Sequence, residues 1–351
     1  MPQLTFTRFI AAFFIVVFHF GHNLSFLNFP FLTSALSLSP AGVSYFFLLS
    51  GFILTWVYNK GDDERIDKKH FFLARFARIY PVYILALLIL LVLLLLTKQK
   101  IYPLALLLQI TLLQAWFPNL VLKLNIPAWS LSVEVFFYLL FPFLLVALRR
   151  IKQNWLLIIV GLSFWFYSLL FYYYGLNIFS KTPPDFFFCF FNYNPLFHLN
   201  SFILGIISCL LFKRLKKPLS SFQSATLIVV PFLIVIALII NHNPILHYFN
   251  DGLLAPLFAV FLIGLAGNTS GITTVLAWRP LVLLGEISYG IYILQVPVAA
   301  WFNAAYRHLQ VDNYFWQFLI FFAALIFIAW VSLKFVERPA RVYLKKRLNK
   351  K

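Results

Sequence analysis

Long apolar runs recur along almost the whole chain, and they constrain its fold more than any other feature. Of its 351 residues, 62% are hydrophobic and only 11% are charged, a composition that excludes a soluble protein. Lipid offers the backbone no hydrogen-bond partners, so segments that cross a bilayer form helices or closed barrels. Runs of about 20 apolar residues without alternation favour helices. The sequence therefore predicts an all-α, polytopic membrane helix bundle.

The predicted bundle has ten transmembrane helices. The candidate spans cover residues 7–27, 41–59, 78–97, 130–148, 154–174, 195–212, 222–241, 253–267, 281–302 and 315–336. A shorter apolar piece follows the third span at 101–117. The distribution of basic residues decides whether this piece also crosses.

Basic clusters at 60–78, 149–152, 213–217 and 337–351 predict the orientation, because loops on the cytoplasmic side of a membrane carry an excess of Lys and Arg. The third span then leaves the cytoplasm and the fourth returns to it, so only one crossing fits between them. The piece at 101–117 is therefore predicted to be re-entrant or interfacial, and both termini are predicted to be cytoplasmic. Five basic residues are expected outside: Lys98, Lys100, Lys123, Lys181 and Arg307.

Charge, cysteine count and chain organisation limit the kinds of partner, cofactor and domain structure that this protein can have. The positive-inside bias explains the net charge of +18 better than a nucleic-acid partner does. Cys189 and Cys209 form no metal or redox pattern, so neither a metal nor a bound cofactor is expected. The first segment lacks a cleavage site, and no repeat or linker divides the chain. Residues 1–351 are predicted to form one domain, multi-pass in the inner (plasma) membrane and compatible with a homo-oligomer.

Arg8 opens the first apolar segment and His19 interrupts it eleven residues later. At 100° per residue, this spacing returns to within about 20° of the same helix face, about 16 Å further along. Both side chains are therefore expected to face one groove. A neutral imidazole is the usual general base near neutral pH, so His19 is a candidate to take the proton of an acceptor hydroxyl. The alternative is a structural histidine bonded to a neighbouring helix, with Arg8 marking the cytoplasmic end. His22 follows one turn later, near the outer face.

Glu134 is the second catalytic candidate. It lies about seven residues below Pro127 in a span that enters from the outside, at a depth close to that of His19. A carboxylate there would orient the imidazole and stabilise its protonated form. The alternative is a glutamate satisfied by Ser130, Tyr138 or a helix N-terminus. Acidic residues within a span are costly, which favours a function.

Arg75 and Arg78 lie three residues apart where the third span is predicted to start. Together with Arg8 they would form a basic mouth for phosphates, which guanidinium groups bind in a bidentate geometry. Ordinary positive-inside flanking is the alternative.

A polar stripe at Gly285, Ser288, Tyr292 and Gln295 would line a cavity, with Glu286 and Tyr289 facing elsewhere. Interhelical hydrogen bonding is an equal interpretation of this stripe and the favoured one. The small pair Ser50–Gly51 is expected mid-membrane, where it would allow close helix approach or a bend. The complete set of cavity-lining candidates is Ser50, Trp129, Ser132, Tyr138, Ser288, Tyr292 and Gln295.

Taken together, these segments resemble the acyltransferase-3 family of integral-membrane O-acyltransferases. The matching pieces are R-x10-H at Arg8 and His19, FFLLSGF at 46–52, R-x2-R at Arg75 and Arg78, WSLSVEVFFY at 129–138, LGEISYGIYILQVP at 284–297 and VERP at 336–339. The resemblance implies an acyl-CoA donor from the cytoplasm, a catalytic role for His19, and arginines of the two motifs in donor binding or catalysis. The family often has a histidine at the position of Gln295, so no catalytic role is carried to that residue.

The expected reaction moves an acyl group, with acetyl favoured, from acyl-CoA to a hydroxyl of a carbohydrate or glycolipid at the outer side of the membrane. Whether His19 activates the acceptor or first accepts the acyl group is open. No hydrolase-like domain is expected after VERP. A transporter or flippase for a lipid-linked sugar is the alternative, which inverted repeats would favour, and a channel-like or purely structural protein would leave the Arg8–His19 spacing unexplained.

Overall fold

The structure, a computed structural model, describes residues 1–21, 24, 29–61, 66–179, 184–241, 252–269, 271–309 and 313–348. The helices are α1 (Gln3–Phe20), α2 (Pro30–Ser37), α3 (Ala41–Tyr58), α4 (Lys68–Leu96), α5 (Pro103–Ile110), α6 (Trp129–Arg150), α7 (Asn154–Phe179), α8 (Pro184–Tyr193), α9 (Leu199–Lys213), α10 (Ser221–Ile240), α11 (Ala255–Gly267), α12 (Gly271–Leu276), α13 (Arg279–Leu309), α14 (Tyr314–Ser332) and α15 (Arg338–Leu348). A π-helical turn at Leu333–Glu337 joins α14 to α15.

Eight helices within these ranges are long and apolar enough to cross a membrane. Two shorter apolar helices, α9 and α11, coincide with the predicted spans at 195–212 and 253–267. The prediction of an all-α, polytopic membrane bundle is confirmed.

The segment at 101–117 does not cross, as the alternation of basic loops predicts. Its helix α5 has eight residues, about 12 Å, which is far shorter than a bilayer core of about 30 Å. The Tyr83 hydroxyl donates to the Gln109 carbonyl at 2.6 Å, and Gln114 Nε2 donates to the Ala128 carbonyl at 2.7 Å. These bonds hold the segment against α4 and the start of α6.

Basic side chains tie several helix ends together at one end of the bundle. Lys213 Nζ donates to the Asn59 carbonyl at 2.5 Å, and Arg214 donates to the Arg149 carbonyl at 3.3 Å. Arg149 in turn donates to the Gly61 carbonyl at 3.1 Å. The ends of α3, α6 and α9 therefore lie at the same face, which agrees with the predicted clustering of basic loops.

Two glycine contacts set the helix spacing around the interior. A Cβ at Gly51 of α3 would lie 2.3 Å from the Phe202 carbonyl oxygen of α9, so only glycine permits this approach. The predicted role of the Ser50–Gly51 pair in close packing is therefore seen at Gly51. A Cβ at Gly285 of α13 would lie 2.0 Å from the Thr5 carbonyl oxygen, which brings α13 directly against α1 near Arg8.

Candidate functional site

A cavity of about 230 Å³ lies among α1, α3, α4, α6 and α13. The predicted candidates that line it are Arg8, Ser50, Arg75, Arg78, Glu134, Ser288 and Tyr292. Those outside its lining are His19, Trp129, Ser132, Tyr138 and Gln295. Three of these helices, α1, α4 and α6, thus bring three guanidinium groups and one carboxylate into a single space.

Arg75 and Arg78 lie within helix α4 and not at its start. The third span was expected to begin at 78, but α4 begins at Lys68, which places Arg75 and Arg78 about two and three turns inside the helix. The cause is the amphipathic stretch before 78, which is capped by Asp67: its side chain accepts from the backbone N–H of His70 at 3.1 Å. The two arginines are therefore wall residues of the cavity.

Arg75 has an unsatisfied donor in this wall. Its guanidinium carbon lies 5.9 Å from the ring centre of Tyr58 and 6.0 Å from that of Tyr138. Its Nε atom is buried and has no hydrogen-bond partner among the described residues. A buried donor without a partner is costly, so an anion bound in the cavity would relieve it.

Glu134 is held by two hydroxyl groups. Ser50 Oγ donates to its carboxylate at 3.3 Å, and the Tyr138 hydroxyl donates to the same oxygen. The charges of Glu134 and Arg78 both act on the Arg8 guanidinium. The carboxylate therefore partly balances the arginines across the cavity.

Among the described residues, Glu134 and His19 share no hydrogen bond, and each bonds to other side chains. His19, in the last turn of α1, bonds through Nδ1 to Gln295 Oε1 at 3.0 Å. Gln295 Nε2 donates to the Tyr292 carbonyl at 2.8 Å. Because the amide nitrogen is used in this bond, the amide oxygen faces the His19 ring and accepts a hydrogen bond from Nδ1. Nδ1 then carries the proton, and Nε2 keeps a lone pair. This arrangement favours the imidazole tautomer with the lone pair on Nε2.

On α13, the cavity ends at Tyr292, one helical turn before the glutamine that bonds His19. The Tyr292 hydroxyl donates to Ser130 Oγ at 2.8 Å, and both residues line the cavity. Gln295 follows Tyr292 by three residues on α13 and holds His19. The arginine-lined cavity and the His19 imidazole therefore lie next to each other along α13, with Tyr292 between them.

The remaining candidates pack around the site. Trp129 contacts His198, with ring centres 4.9 Å apart. Ser132 Oγ accepts from the Ala115 N–H at 3.4 Å, which links α6 to the segment at 101–117. His22 lies outside the described residues.

A profile described as an acyltransferase domain, that of the acyltransferase-3 family, matches residues 1–334. The chain belongs to this family. Its match covers every helix that contributes to the cavity and to the His19 contact. No solved structure matches the chain significantly.

Named relatives of this acyltransferase-3 protein share parts of its sequence. The acyltransferase MdmB of Streptomyces mycarofaciens is 31% identical over 43% of the chain and 41% of its own length. The peptidoglycan O-acetyltransferase OatA of Listeria monocytogenes is 24% identical over 97% of the chain and 56% of its own length. The chain thus spans about half the length of these curated relatives.

Two residues at or near this cavity escaped the sequence analysis. Tyr289 was expected to face away from the polar stripe, yet it lines the cavity and donates to the Ile79 carbonyl at 2.6 Å. Glu337, in the VERP piece, is fully buried and pairs with Arg341 at 2.7 Å. The charges of Arg8 and Arg78 act on it. An acidic residue retained beside a basic terminus was the available signal for Glu337.

Proposed function

We propose that this multi-pass membrane protein transfers an acyl group, acetyl in the favoured case, from acyl-CoA to a carbohydrate hydroxyl. The donor comes from the cytoplasmic side and the acceptor lies at the outer side of the plasma membrane. Family membership supports acyl transfer, and the printed name of the Listeria relative, a peptidoglycan O-acetyltransferase, supports a cell-envelope carbohydrate as acceptor.

The convergence of Arg8, Arg75 and Arg78 in one cavity carries the proposal. None of the three forms an ion pair with another residue of the described ranges, and Arg75 retains a buried donor. Guanidinium groups in that state suit the phosphates of coenzyme A. The pantetheine arm would then extend past Tyr292 and bring the thioester toward His19.

His19 would act as the general base through Nε2. The acceptor hydroxyl gives its proton to Nε2 while its oxygen attacks the thioester carbonyl. The C–S bond breaks, and the imidazolium returns the proton to the leaving thiolate, so that ester and free CoA are the products. The Gln295 amide keeps Nδ1 protonated throughout, which leaves Nε2 as the atom that exchanges the proton.

The test is transfer of radiolabelled acetyl from acetyl-CoA to peptidoglycan fragments by purified protein in liposomes. We expect label in the glycan only when acetyl-CoA faces the basic end of the protein and the fragments face the other. Label from either side equally, or none with any carbohydrate acceptor supplied, would contradict the proposal. Arg150, an exposed arginine at the same end, provides a matched control: Arg150→Ala should transfer normally whereas Arg75→Ala should not.

A further inference from the structure

A second cavity, of about 250 Å³, lies at the opposite end of the bundle from the basic clusters. It is formed by the ends of α1 and α13 and by the start of α14. Phe20 lines it and directly follows His19, and Ala299 lines it one helical turn beyond Gln295. The bonded pair His19 and Gln295 therefore lies next to this second cavity, on the side away from the arginines of the first cavity.

The lining combines flat aromatic rings with uncharged polar groups. Phe20, Phe302 and Phe321 contribute rings, with the centres of the last two 6.2 Å apart. Asn303 contributes an amide and Tyr314 a hydroxyl. Both side chains are exposed, so their polar groups are available to a ligand.

The chemistry of this lining selects among ligands. Among the described residues, no charged side chain lines the cavity, so this part of the lining offers a phosphate or nucleotide no counter-charge. A third cavity, between α1 and α10, is almost wholly apolar and suits lipid chains instead. Rings beside amide and hydroxyl groups match a sugar, which presents C–H groups on its faces and hydroxyls at its edge. The volume lies just below the roughly 300–1,000 Å³ of drug-sized ligand sites, which fits about one sugar ring.

We propose that this cavity is the acceptor subsite, and that it binds a single uncharged sugar ring, such as an N-acetylhexosamine, with one hydroxyl directed toward His19. This inference rests on the proposed acyl transfer for its biological meaning, but sugar binding is measurable without any acyl donor. The rings would stack on the sugar faces, and Asn303 and Tyr314 would hydrogen-bond its edge.

The experiment measures sugar binding and acyl transfer separately. Saturation-transfer NMR on the detergent-solubilised protein, without acetyl-CoA, would use N-acetylglucosamine, N-acetylgalactosamine, glucose and galactose as probes. We expect signal from at least one sugar with the wild-type protein, weakened roughly three- to tenfold by Asn303→Leu, the loss typical of one neutral hydrogen bond. Tyr314→Leu should weaken it similarly. In transfer assays the same variants should raise the KM for that sugar and leave acetyl-CoA affinity unchanged.

Asn119→Leu is the matched control, because Asn119 is an exposed amide that does not line the cavity. It should bind sugar like the wild type. Equal binding by all three variants, or no binding of any probe by the wild type, would overturn the subsite. Sugar binding that depends on Asn303 but occurs without acetyl transfer would support the subsite and refute the proposed reaction, so the two failures are distinguishable.

Discussion

At the scale of single residues, the His19–Gln295 pair is the feature on which the proposed chemistry depends most. Gln295 cannot act as an imidazole base, yet it is fully buried and both polar atoms of its amide form hydrogen bonds. Its oxygen bonds His19, and its nitrogen donates to the Tyr292 carbonyl. A glutamine that holds a histidine tautomer has the positioning role of an orienting acid without adding a charge. Its effect on turnover is therefore open to direct test.

We expect His19→Ala to lower turnover by about 10²–10⁴-fold, the usual contribution of a positioned acid/base, with acetyl-CoA affinity preserved. Gln295→Leu should cost less, because the ring remains but its tautomer is no longer held. Gln295→Glu, which keeps an acceptor for Nδ1, should retain more activity than the leucine variant. Initial rates and donor binding by calorimetry measure both effects. Near-normal transfer by folded His19→Ala protein would contradict the general-base role.

Glu134 should act independently of His19, since no hydrogen bond joins the two. Glu134→Gln removes the charge that faces Arg8, so we expect lower activity through a changed cavity. Losses that multiply in the His19→Ala/Glu134→Gln double variant would show independent roles, because residues that act as a unit are not additive. A double variant no worse than His19→Ala would instead restore the pairing that the sequence suggested.

Arg75 should contribute to donor affinity. Arg75→Ala should weaken acetyl-CoA binding about 10- to 100-fold, since a hydrogen bond to a charged group contributes about 1.5–3 kcal/mol. Arg75→Lys should recover only part, because a point charge does not replace the planar fork. Isothermal titration calorimetry measures the affinities, with Arg150→Ala as the control. Unchanged acetyl-CoA affinity in Arg75→Ala would mean that Arg75 only contributes to the positive-inside charge bias.

At the scale of helices, the packing of α1 on α13 aligns the two halves of the site. Both helices start at the basic end: Gly285 meets Thr5 near Arg8, and Gln295 meets His19 near the other end. A change in their spacing would therefore displace the arginine cavity and the imidazole together.

Gly285→Ala tests that spacing. Its Cβ would lie 2.0 Å from the Thr5 carbonyl oxygen, and overpacking typically costs about 1–3 kcal/mol, which exceeds the gain of about 1 kcal/mol from helix propensity. We expect a lower thermal midpoint, read by size-exclusion chromatography after heating, together with reduced transfer. Gly271→Ala, whose Cβ would meet no atom within 4 Å, should leave both properties unchanged. Equal stability of the two variants would show that α1 and α13 move apart to accommodate the added methyl group.

At the scale of the whole molecule, the parity of crossings around α5 determines which side each loop faces. Lys98 follows α4 and Lys123 precedes α6, so the two residues share a side only if the segment between them does not cross. The short α5 and the hydrogen bonds of its segment to α4 and to the start of α6 place Lys98 and Lys123 on the same side of the membrane.

Cysteines introduced at Lys98, Lys123 and Lys216, in a background lacking Cys189 and Cys209, test this arrangement. An impermeant maleimide applied to intact cells should label the first two positions and not the third. Labelling of Lys98→Cys and Lys123→Cys from opposite sides would mean that 101–117 crosses.

The sequence by itself determined the ten apolar segments, the short segment between the third and fourth, and the basic end of the bundle. These follow from transfer free energies and charge bias, which each residue carries with it wherever the chain folds. It also singled out Arg8, Arg75, Arg78 and Glu134, because charges near or within a span are costly enough to be conspicuous.

Only the tertiary structure decided which of those groups meet. His19 bonds a glutamine 276 positions away, while Glu134 bonds Ser50 and Tyr138. Depth estimates put His19 and Glu134 at one level, but they leave the rotation of each helix about its axis undetermined. That rotation is set by close contacts such as Gly285 against Thr5, which depend on the shapes of two helices and are invisible in either sequence segment alone.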